Sequence, residues 1–135
     1  MAYGKIVADQ IQHSSEGTVG TQYVVNGSAK VWCAYDSYAQ VIDGSLNASS
    51  LTDNATGDTT ITFSSAFSAT TEMCFTGMSS DDASSNKHVM NISFARIGST
   101  PYTTTTVRIT TNFDGQVNTL QDADFAHTTG MGDLA

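Results

Sequence analysis

Proline occurs once in this 135-residue chain, leucine only at Leu46, Leu51, Leu120 and Leu134, and glutamate only at Glu16 and Glu72. So few strong helix formers argue against a helical fold. Basic residues are scarce too: five Lys and Arg stand against thirteen Asp and Glu, a formal charge of -8. An acidic chain without a basic cluster cannot neutralise phosphates, so no nucleic-acid partner is expected. The acidity reads instead as solubility. No apolar run reaches the roughly 18 residues of a membrane-spanning helix, so no membrane insertion is expected. Met1-Ala2-Tyr3-Gly4-Lys5 lacks the apolar core of a signal peptide, which predicts a chain made in a cytoplasm. Cys33 and Cys74 sit in apolar-rich stretches and read as reduced, buried side chains, although spacing alone does not test a disulfide between them. A metal site needs more ligands at closer spacing than these.

What remains is Ser, Thr, Val and aromatic residues, the composition of strands. With 13% charged and 39% hydrophobic residues the chain is neither disordered nor highly charged. Its length suits one domain burying roughly two thirds of its unfolded surface. In Ala29–Tyr35, Val31, Cys33 and Tyr35 share one face while Lys30, Trp32 and Ala34 share the other. A short strand is expected at Tyr38–Ile42 after an Asp36-Ser37 turn. A hairpin follows, with Asn47–Leu51 entering the cluster Asp53-Asn54-Ala55-Thr56-Gly57-Asp58 and Thr59–Phe63 leaving it. There Ile61 and Phe63 form the buried face, and Thr60 and Thr62 the wetted one.

Further strands are expected at Glu72–Met78, His88–Ile97, Thr103–Thr111 (Val107 and Ile109 inward) and Asp122–Thr129, with Gly130–Asp133 a tail. The polar run 79–87 reads as a long exposed loop. Residues 1–25 show no clean amphipathic pattern; their apolar pieces, Ile6-Val7-Ala8 and Tyr23-Val24-Val25, flank a polar break and read as the first strand of the core or, by preference, as an arm that packs on a neighbouring subunit. Short strands at turn spacings near ten residues predict an all-β fold, an antiparallel β-sandwich or jelly-roll-like domain over 26–135 with a short N-terminal arm over 1–25.

Signals for chemistry are weak. His13, His88 and His127 occur without a Gly-x-Ser-x-Gly elbow or any context that would order a base. The carboxylate pairs Asp53/Asp58 and Asp81/Asp82 lie in turn-like stretches, where carboxylates usually cap backbone N–H groups rather than act as glycosidase acid and base. Their spacing lacks the ligand pattern of an EF-hand. No enzyme activity, cofactor or metal is expected. Trp32 reads as a core or subunit contact rather than a sugar platform, because Tyr35 lies on the opposite face. Asp81, Asp82, Asn86 and Tyr102 are the candidates for an exposed recognition surface.

Gly27-Ser28-Ala29-Lys30-Val31-Trp32-Cys33-Ala34-Tyr35 and Ser45 through Phe63, SLNASSLTDNATGDTTITF, together carry a resemblance. They resemble a small β-domain common in tail-fibre and virion structural proteins of marine bacteriophages, cyanophages especially. The family pattern runs G-x-A-K-A-W-V-x-F and then S-x-N-V-S-S-I-T-D-N-G-T-G-D-Y-T-V-x-F. Ala8–Gln12 looks like the lead segment of these proteins and Leu120–Phe125 like their closing strand. The chain departs from the pattern at Val31, Cys33, Ala55 and Met73. The resemblance implies a virion structural protein, a tail-fibre or appendage subunit in assembly and host attachment. It also implies a homotrimer, contacts with other virion proteins of tail or capsid, and a host surface glycan as a further partner. Within the arm, Ile6, Ile11 and Val24 are the candidate docking residues. The alternatives are a head decoration (cement) protein and, third, a carbohydrate-binding module.

Overall fold

The computed structural model describes residues 8–15, 17–80, 89–94, 101–113 and 120–135. They run through a hairpin, Gln10–His13 (β1) and Gly17–Gly20 (β2), and a short helix, Thr21–Gly27 (α1). Then come Ala29–Asp36 (β3), Val41–Leu46 (β4), Ala48–Ala55 (β5), Asp58–Phe63 (β6) and Cys74–Ser80 (β7). Val89–Phe94 (β8), Thr106–Phe113 (β9) and Phe125–Met131 (β10) complete the described strands. β1 and β2 pair only with each other; β3 to β10 form one antiparallel sheet in the order β4-β3-β10-β7-β8-β9-β6-β5.

Period-two alternation decides which faces are buried. On β3, Val31, Cys33 and Tyr35 are buried and Trp32 between them is exposed. On β6 and β9, Ile61, Phe63, Val107 and Ile109 are buried as expected. Thr60 and Thr62 are half-buried rather than wetted.

β6 and β7 lie three places apart in the sheet order, roughly 14 Å if the sheet were flat. Yet the rings of Phe63 on β6 and Phe75 on β7 stack with centroids 6.0 Å apart. The sheet therefore folds over into two layers, β4-β3-β10-β7 against β8-β9-β6-β5, the all-β sandwich that the sequence predicts. Phe67, from the β6–β7 connection, fills the centre and meets Phe63 and Phe75 edge-on at 5.4 and 6.0 Å. Gly130 makes room for this cluster: a Cβ there would collide with the Phe75 ring and lie 2.7 Å from Val31.

The chain crosses from one layer to the other between β4 and β5, on Asn47 alone. Its φ is 59°, a left-handed conformation that asparagine tolerates. The turn is clamped by Asn47 Nδ2 donating to Ser65 O at 3.1 Å and Ser65 N donating to Asn47 Oδ1 at 2.6 Å.

Several boundaries differ from the sequence reading. Tyr38 lies exposed in a turn, held where Ala39 N donates to Asp36 Oδ1, and the strand starts at Val41. Residues 70–72 form a 3-10 turn ahead of β7. Hydroxyl contacts among Thr103, Thr105 and Thr106 make a turn where a strand was expected, so β9 starts at Thr106. The last strand starts at Phe125 and continues through Met131. Gly130–Asp133 is not a tail: Ser68 N donates to Asp133 O, and Ala135 N to Ala66 O. Residues 21–27 are helical, although no side chain caps the helix start.

Candidate functional site

The outer face of β4-β3-β10-β7 is built by register. One row runs Leu46, Trp32, Thr129 and Thr76 across the four strands; the next runs Gly44, Ala34, His127 and Met78. Phe125, two residues before His127 on β10, continues the same face. Trp32, Leu46, Met78 and Phe125 are 41%, 48%, 68% and 49% exposed. The Trp32 ring lies close to Gly44: a Cβ there would be in ordinary contact, 3.5 Å from Cζ3 and Cη2 of the indole. Neither row contains Asp, Glu, Lys or Arg, on a chain of formal charge -8. A contiguous apolar face of Trp, Phe, Met and Leu with Thr and His among them has the composition of an interaction surface. Trp32 is thus no part of the core.

The N-terminal segment presents a second apolar surface. Ile11, Val19, Tyr23, Val24 and Val25 are all exposed, and no residue of α1 is buried. Of the arm residues singled out from sequence, Ile11 and Val24 stand free in this way, and Ile6 lies outside the described residues. Asp81, Asp82 and Asn86 also lie outside them. Tyr102 is half-buried, its ring centroid 6.1 Å from that of Phe75, so it packs on the core rather than forming part of a free recognition surface.

The Thr56-Gly57-Asp58 sequence of the hairpin does a structural job. Gly57 has φ 65°, and a Cβ there would clash with Gln121 N and lie 2.7 Å from Thr111 O. Its N–H donates to Asp122 Oδ1 at 2.7 Å, and its carbonyl accepts from Thr111 N at 2.9 Å. Next to it, Asp58 is fully buried and takes Arg108 in a two-point pair, Nε to Oδ1 at 2.7 Å and Nη2 to Oδ2 at 2.6 Å. Asn54 Nδ2 also donates to Asp58 Oδ1, at 3.3 Å. The Asp58 hydrogen bond raises the Arg108 pKa above its ordinary value, burial opposes, and the carboxylate charge adds to the rise. Asp58 is thereby committed to a structural pair, whereas Asp53 stands exposed on β5.

Both cysteines are free thiols, but Cys74 is exposed, against the expectation of two buried ones; its strand turns it to the outer side. Burial, and then the Asp43 carboxylate, push the Cys33 thiol up to about 11 from 9.0. Burial also pushes the Tyr35 hydroxyl up; nearby Thr128 offsets part of this and Cys33 adds to it. The Tyr35 and Thr128 hydroxyls do not reach hydrogen-bond geometry with each other or with another described group.

These shifts predict a pH dependence. Both acids remain protonated in the fold at pH values where the unfolded chain already loses its protons, so stability falls as pH rises above 9.0 through 11. The urea midpoint is expected to be lower at about pH 10.5 than at about pH 8; equal midpoints contradict this. At the lower pH a thiol reagent should label Cys74 at once and Cys33 only on unfolding.

A cleft of about 610 Å³ between the end of α1 and the ends of β7 and β10 is lined by Asn26, Glu72, Cys74, Met131, Gly132 and Asp133. Among the described residues no three His, Cys, Asp or Glu side chains gather as a metal site, and no helix is long and apolar enough to cross a membrane. No family model matches the chain, and comparison with curated proteins and with solved structures gives no significant match.

The outer face was beyond sequence reading because it depends on β10 inserting between β3 and β7. That insertion puts Phe125 and Met78 on the same sheet face as Trp32 over long sequence separations, without a local signal. The alternation that exposes Trp32 was present in the sequence, but not which face of β3 would be covered.

Proposed function

We propose that this chain is a virion structural protein of a tailed marine phage, a fibre or appendage subunit that works by assembly and host attachment and not by catalysis. The observation that carries the reading is the outer face of β4-β3-β10-β7, an exposed apolar surface whose two central rows carry no charge, on a chain of formal charge -8. Such a face is unfavourable on a free monomer and suits a subunit whose working state is assembled. The resemblance in residues 27–63 supplies the setting. Within it, Thr56-Gly57-Asp58 serves the stability of the sandwich.

In this reading residues 1–25 dock onto another virion protein or a sister chain. Deleting them should abolish incorporation into particles of the phage that encodes the chain, measured by immunoblot of purified virions. Incorporation at the normal level contradicts the proposal. Copy number measured against the major capsid protein separates an appendage, present in few copies, from a shell-covering cement protein.

A further inference from the structure

We propose that copies of this chain associate by arm exchange: the hairpin and helix of one copy, residues 8–27, cover the outer face of β4, β3, β10 and β7 on the next copy. The inference rests on reading that face as an assembly surface, and it names the occupant as a second copy of the same chain.

The argument starts from what the N-terminal segment lacks. β1 and β2 have four residues each and, among the described residues, pair only with each other. A lone two-stranded hairpin is marginal in water. α1 has seven residues, none of them buried, and a helix that short does not hold by itself. The segment nevertheless carries Ile11, Val19, Tyr23, Val24 and Val25 in exposed positions. It therefore gains order only by seating that apolar surface on something.

The sheet face has the opposite deficit, a built apolar surface that none of the described residues covers. The two surfaces match at their centres: residues 17–27 of the arm contain no Asp, Glu, Lys or Arg, with Asp9 and Glu16 ahead of them, and the two central rows of the face contain none either. Copies that each carry a formal charge of -8 repel, and contact is least costly where both surfaces are neutral. Polar groups on the two sides, Gln10, Gln12, Thr18 and Gln22 against Thr76, His127 and Thr129, provide donors and acceptors for the rim.

Within one copy the arm runs through Ser28 directly into β3, beside Trp32, and still leaves its apolar residues exposed. Seating it on the next copy uses two different surfaces head to tail. Such a contact closes into a ring or continues as a fibre.

A mixing experiment tests this on the full chain. One variant carries Val24→Asp and Val25→Asp in the arm; the other carries Met78→Asp and Phe125→Asp on the face. All four positions are exposed, so both variants should fold like the parent, with the same far-UV circular dichroism spectrum; Val24→Ser and Met78→Ser replace them if either does not. Light scattering should find the parent as an oligomer and each variant alone at the 14.2 kDa of one chain. An equimolar mixture should give a two-chain complex, because one partner retains a working face and the other a working arm. A mixture that stays at one-chain mass overturns arm exchange, and an arm variant that still self-associates overturns it in favour of a face-to-face contact. A monomeric parent, or a face variant that still self-associates, also overturns it. None of these results decides where the protein sits on a virion, which particle labelling reads separately.

Discussion

Arg108→Ala should cost the domain about 3–5 kcal/mol, the range for breaking a buried pair by removing one partner. The reason lies in what is left behind. Asp58 is fully buried at the start of β6, and both its oxygens are held by Arg108. Without the guanidinium its negative charge remains in the interior with Asn54 as a neutral donor. The reverse change, Asp58→Ala, should cost less. Arg108 is 30% exposed and turns its charge into water once released. The sharper test is the double variant. Adding Asp58→Asn to Arg108→Ala removes the stranded charge and should recover part of the lost stability, measured by urea unfolding. A double variant less stable than Arg108→Ala alone would show that the buried charge is not what destabilises.

Gly57→Ala is the second large effect. A left-handed backbone costs a non-glycine residue about 1–2 kcal/mol. Position 57 adds a collision that a small rearrangement does not relieve, because the atoms in the way are main chain, Gln121 N and Thr111 O. Both belong to backbone already engaged, since Gln121 N donates to Thr111 O and Thr111 N to Gly57 O. The loss should therefore clearly exceed the backbone term alone. A neighbouring control, Thr56→Ala at an exposed position, should change stability by less than about 0.5 kcal/mol. Equal effects at the two positions would remove the packing argument for Gly57.

Both residues sit in the stretch where the sequence was most informative, and the contrast between what it revealed and what it hid is physical. The hairpin was legible because turn residues separate two β-branched runs. Its tip lies at Thr56-Gly57, later than the Asp53 cluster suggested, because β5 continues through Ala55. The inward sets Val31/Cys33/Tyr35, Ile61/Phe63 and Val107/Ile109 were legible because alternation is a local property of a strand. The Asp58–Arg108 pair, 50 positions apart, was not, since nothing near Asp58 announces a cation. Nor was α1, whose Tyr23-Val24-Val25 core is poor helix-forming sequence without a cap. Of the candidate site, Trp32, Ile11 and Val24 were noticed, but Leu46, Met78 and Phe125 became neighbours only through strand order.

That candidate site leads to the central claim, that this is a virion subunit working through assembly. It is tested most directly by locating the protein on intact particles, using cryo-EM with a specific antibody fragment. Label concentrated at the tail or its appendages is the predicted result. Label spread over the shell would contradict the appendage assignment and make the chain a cement protein, and intact particles without label would contradict the virion assignment altogether.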